Sequence, residues 1–154
     1  MRKMSAIAGA TVALALVTGV AHAERKPSPE GAKVYIVWPR NGQTIPGGKF
    51  WLRMGLTGMG VAPAGTDKPK TGHHHVLVDA PLPPMDREIP NDKNHLHFGG
   101  GQTEARIELP PGKHTLQLLF ADLDHIPHDP PLMSPQITVY VPGEAKPGAA
   151  VSSR

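Results

Sequence analysis

Hydrophobic and polar residues alternate in short runs along the middle of the chain, with turn residues between the runs. Phe50, Leu52, Met54 and Leu56 share one face of a segment whose other face carries Trp51, Arg53 and Gly55. Ala105, Ile107 and Leu109 alternate with Arg106 and Glu108, and His114, Leu116, Leu118 and Phe120 recur at every second position after Pro110-Pro111-Gly112. Residues 34–38, 74–78 and 137–141 read as three more strands, and 94–98 as a short further one. A period of two marks strands buried on one face. About seven of them, separated by turns, predict an all-β fold: an immunoglobulin-like antiparallel two-sheet sandwich over residues 33–142. Three connections, 60–72, 80–93 and 123–135, are longer than hairpins need, and long loops on a rigid sandwich are where function gathers. They are expected at one pole.

The flanks read differently. Arg2 and Lys3 precede an apolar run over 6–20 that ends in Ala21-His22-Ala23, the pattern of a secretory signal peptide, residues 1–23, with an A-x-A cleavage site. Gly9, Thr11, Thr18 and Gly19 interrupt that run, which is short for a span of about 20 apolar residues. The mature protein is therefore expected to be soluble, in the periplasm or secreted. Cleavage after Ala21 is an alternative that exposes His22. Segments 24–32 and 143–154 are polar, small and Pro-containing, and are expected to lack structure. The absence of cysteine excludes disulfides, thiolate metal sites and a lipoprotein anchor. Removing Arg2 and Lys3 leaves 14 basic against 13 acidic residues. Near-neutral charge gives no reason to expect nucleic acid or an anionic membrane as partner. The 18 Pro and 17 Gly leave little room for helices.

Candidate chemistry rests on histidine. Seven of the nine fall in three clusters, His73-His74-His75, His95-Leu96-His97 and His125-Ile126-Pro127-His128. Successive side chains of a strand alternate faces, so His73 and His75 point one way while His74 joins Val76 and Val78 on the other. His95 and His97 likewise share a face. If strands alternate direction and 94–98 is a strand, all three clusters reach one pole. His73, His75, His95, His97, His125 and His128 are the candidate ligands, with Asp79, Asp122, Asp124 and Asp129 as further ligands or as acceptors that fix the imidazole tautomers. His74, on an apolar face, and His114, after Leu-Pro-Pro-Gly-Lys at a sandwich corner, read as structural.

Imidazole without thiolate suits copper, zinc, nickel or iron. The leading expectation is a periplasmic carrier, buffer or sensor of copper or zinc, with no organic cofactor, acting beside other periplasmic metal-handling proteins. Two alternatives stay open: a metal-dependent enzyme with an open coordination position, and an interaction module whose histidines form a hydrogen-bond network. No G-x-S-x-G or H-E-x-x-H motif supports catalysis, which leans the reading away from an enzyme. Gly99-Gly100-Gly101 has no strand–helix context for a phosphate loop and is expected to let the backbone pass close to the His95/His97 site.

Several segments together resemble a known bacterial family. They are Gly58-Met59-Gly60-Val61, Pro63-Ala64-Gly65, residues 71–79 (Thr-Gly-His-His-His-Val-Leu-Val-Asp), His95-Leu96-His97-Phe98-Gly99, Gly101-Gln102-Thr103-Glu104, residues 109–118 and His125-Ile126-Pro127-His128. The chain resembles, over about residues 33–141, the exported family called domain of unknown function 4399. The resemblance implies an exported, β-rich, histidine-bearing domain and supports reading the three clusters as one pattern. It supplies no mechanism.

Overall fold

The alternating runs become two sheets packed face to face. The computed structural model describes residues 25–143. Their strands are β1 (Lys33–Trp38), β2 (Gln43–Thr44), β3 (Lys49–Thr57), β4 (Gly60–Val61), β5 (Thr71–Val78), β6 (His95–His97), β7 (Glu104–Glu108), β8 (Gly112–Ala121), β9 (Pro127–Met133) and β10 (Ile137–Val141). One sheet has the order β1-β3-β7; the other runs β2-β10-β8-β5-β4, with β6 also on β5 and β9 also on β8. Val34, Phe50, Leu52, Met54 and Ile107 of the smaller sheet meet Val76, Val78, Leu116, Leu118, Phe120 and Val139 of the larger. Burial of these apolar faces is the main stabilising term of such a fold. Among the described residues no helix is long and apolar enough to cross a membrane.

The larger sheet is covered on both sides at its centre. Inward-facing His74, Val76 and Val78 of β5 join the core, while Leu77, Leu119, Ala121 and Ile89 form a second apolar cluster on the outer face. Ile89 belongs to the connection 80–93, which folds over the sheet. This explains why β5 is buried at every position from Gly72 to Val78.

All seven expected strands are present, together with β2, β4 and β9. The last occupies part of a connection expected to be a loop, because its Pro127, Pro130 and Pro131 lack backbone N–H groups. It survives as an edge strand: its pairing to β8 is confined to Leu119↔Met133, Phe120↔Leu132 and Ala121↔Pro127. Segment 25–32, expected to lack structure, lies beside β9. Asp129 N–H donates to the Lys26 carbonyl (2.9 Å), Ser28 N–H donates to the Asp129 carbonyl (2.9 Å), and Arg25 donates to the carbonyls of Pro127 and His128. Composition shows that the segment buries little, but its backbone can still complete an edge. The expected export signal and all but Gly143 of the expected C-terminal tail lie outside the described residues.

Candidate metal centre

Strand register places three imidazoles side by side. β5 and β6 are antiparallel with His75↔His97, Val76↔Leu96 and Leu77↔His95 paired, so His97 shares the outer face with His73 and His75. The fourth ring comes from a tight turn. His125 has φ +64°, a left-handed conformation costly to a non-glycine residue. Asp122 holds the turn: its Oδ1 accepts from the N–H groups of Asp124 and Ile126, both at 3.0 Å. The Ile89 N–H donates to the His125 carbonyl at 2.9 Å, which ties connection 80–93 to the same turn.

The rings of His73, His75, His97 and His125 pack with every pair of centroids 4.7–5.9 Å apart. One ligand atom from each of His73, His97 and His125 lies within 4.8 Å of the others. The Nε2 atoms of His73 and His75 are 3.1 Å apart. Beside them on β8 stand Ala121 and Leu119, cross-strand partners of His73 and His75. Gly99 makes the packing of His97 feasible, since a Cβ there would overlap Cε1 and Nε2 of that ring.

Desolvation favours the neutral form of His73, His75 and His97. His73 and His75 are fully buried, and His97 and His125 half-buried. Burial first, then repulsion from the neighbouring imidazoles, lowers His73 to about 4 and His75 to about 2. Burial and His125 lower His97, against a weaker opposite pull from Glu88. Nδ1 of His73, Nδ1 of His75 and Nε2 of His97 have no hydrogen-bond partner. Such atoms are costly to bury, at about 1–3 kcal/mol each.

The remaining candidates lie elsewhere. His95, cross-strand from Leu77, donates from Nδ1 to Asp92 at 2.9 Å. His128 is buried and stacks on Phe120 with centroids 5.8 Å apart. His74 lies in the core against Phe120, with neither ring nitrogen partnered, and burial lowers it to about 4. None of the four expected aspartates backs the cluster: Asp79 serves His114, Asp122 its own turn and Asp129 Arg25, while Asp124 is exposed. The carboxylate that does approach is Glu88, whose Oε1 is 3.7 Å from Nδ1 of His125. No periodicity or motif marks Glu88 in the sequence.

The family described as a domain of unknown function, DUF4399, matches residues 52–142. The chain belongs to the DUF4399 family. The matched region holds all eight histidines after residue 24 and leaves only β1, β2 and the start of β3 outside. No curated protein and no solved structure matches the chain. In this DUF4399 member, His73, His97 and His125 converge, with His75 beside His73, near the end of the larger sheet where β5 begins and β6 and β8 finish.

At the other end of β5, His114 forms a separate clasp. Its Nδ1 is 2.6 Å from Asp79 Oδ2 and its Nε2 is 2.8 Å from the Pro110 carbonyl. A carbonyl and a carboxylate only accept, so both ring nitrogens donate and the ring is an imidazolium. Burial lowers the His114 pKa, but the Asp79 hydrogen bond, the Pro110 carbonyl and the Asp79 charge outweigh it and raise the net value. A raised pKa gives stability that is full below the unfolded value of about 6.5 and is lost as pH rises through the folded one. Replacing His114 by Ala is expected to cost about 2 kcal/mol near pH 6, with a smaller loss near pH 9. Urea unfolding at both pH values measures it, and equal losses would contradict the charged clasp.

Proposed function

We propose that this DUF4399 protein is an exported histidine-rich metal-binding protein, a copper or zinc carrier, buffer or sensor acting in the periplasm. The convergence of His73, His97 and His125, with His75 Nε2 3.1 Å from His73 Nε2, carries the reading. Nitrogens bound to one tetrahedral ion at about 2.0–2.1 Å would lie roughly 3.3 Å apart, so the cluster needs only a modest contraction to share an ion. A hydrogen-bond network serving structure alone fits less well. The four rings make one hydrogen bond among themselves and leave three buried nitrogens without a partner. Neutral imidazoles are also the protonation state that a metal requires.

Isothermal titration of the untagged protein near neutral pH with copper and zinc tests this reading. Affinity tighter than about 100 μM, some 5 kcal/mol, is expected for at least one ion. Weaker binding of both would overturn it, and the network reading would then be preferred. Gly99→Ala should displace the His97 ring and weaken the affinity at least about tenfold. The same titration checks it, with circular dichroism confirming that the sheets persist.

A further inference from the structure

We propose that the four-histidine site takes copper as the singly charged ion, Cu(I), in preference to Zn(II) or Cu(II). This rests on the metal-binding reading above. Coordination number does not decide between the ions, because imidazole suits copper and zinc alike and three or four rings serve either. Net charge decides. His73, His75, His97 and His125 bring no negative charge to the converging nitrogens.

None of the nearby aspartates is directed at the rings. Asp92 accepts from His95, Asp122 accepts from the N–H groups of its own turn, Asp129 pairs with Arg25, and Asp124 is exposed. Glu88 stands 3.7 Å from Nδ1 of His125, with its side chain 72% exposed, so water screens what it offers. The flank of the site is apolar: Leu119 and Ala121, fully buried, lie across the strands from the two fully buried rings of His75 and His73. Moving an ion from water into such surroundings costs energy that grows with the square of its charge, so a doubly charged ion is penalised about four times as heavily as a singly charged one. Sites that hold divalent ions away from water commonly offset this with carboxylate or thiolate ligands. This ligand set contains neither.

Competition under anaerobic conditions tests the inference on the full mature chain. Cu(I) is titrated against bicinchoninate, and Zn(II) and Cu(II) each against a chromophoric chelator. Cu(I) is expected to bind at least about 100-fold more tightly than Zn(II), so an equimolar amount of Zn(II) should leave most of the bound Cu(I) in place. His97→Asp, at the half-buried edge strand, adds a carboxylate to the set and should cut the Cu(I)-to-Zn(II) preference at least about tenfold. Zn(II) or Cu(II) binding as tightly as Cu(I), or an unchanged ratio in His97→Asp, would overturn the inference while leaving the metal-binding reading intact. If neither copper nor zinc binds, both fall together.

Discussion

Acidifying the metal-free protein from about pH 7 to about pH 4.5 is expected to remove a large part of its stability. His73 and His74 are held at about 4 and His75 at about 2, with burial the largest cause in each. His97 and His128 are lowered too, again chiefly by burial. In the unfolded chain all five titrate near 6.5. Above that value neither state carries the protons, and these groups make stability independent of pH. Below it the unfolded chain takes up protons that the folded chain refuses, so stability falls with pH until each folded pKa is passed. Each such proton costs about 1.4 kcal/mol per pH unit, so the three deepest rings set a limit of about 4 kcal/mol per unit. Solvent at the half-open rim reduces that, and a slope of about 2 kcal/mol per unit is the expected outcome. Thermal unfolding midpoints should then drop by at least about 10 °C over the range. The clasp of His114 works with the opposite sign and fades on the alkaline side, so stability should peak between the two. A profile flat from pH 7 to pH 5 would mean that water reaches the cluster freely.

His75→Leu is expected to separate stability from binding. His75 is 1% exposed, pairs across strands with Leu119 and leaves Nδ1 without a partner. Leucine is close in size and removes the orphaned Nδ1 and the cost of keeping an imidazole in apolar surroundings, which together outweigh the hydrogen bond lost by His73 Nε2. The metal-free variant should gain about 1 kcal/mol, while its affinity for the bound ion falls at least tenfold. Urea unfolding and metal titration of the same preparation read the two effects. A variant that loses stability and keeps its affinity would show that His75 supports the sheet and stands outside the ligand set. Proteins commonly tolerate such destabilised groups where function requires them.

Strand parity made much of this arrangement legible in advance. One rule, that alternate residues share a face, separates His74 from His73 and His75 and puts His97 on their side. The same rule gives His95 the face of His97 but says nothing of distance along the strand. His95 lies two residues further, across from Leu77, where Asp92 is the nearer partner. His128 escaped for a related reason. Prolines concealed β9, so the side on which its rings stand was not readable, and His128 turns to Phe120. Glu88 and Ile89 are tied to the His125 turn by a carboxylate and a single N–H, contacts that depend on how a long connection folds back over the sheet. Hydrophobic patterning does not encode such a return path.

Every position of β5 from Gly72 to Val78 is enclosed, and its two faces carry different work: His74, Val76 and Val78 inside, His73, His75 and Leu77 outside. A slip of the strand by one residue would exchange these sets, placing two imidazoles in the core and two valines on the outer face. Stability and ligand geometry would then fail in the same event. An insertion or deletion in this strand has no neutral outcome, so variation in chain length should be confined to the connections. Under the proposed metal-binding function, bound metal would also report correct strand register, because the same side chains set both.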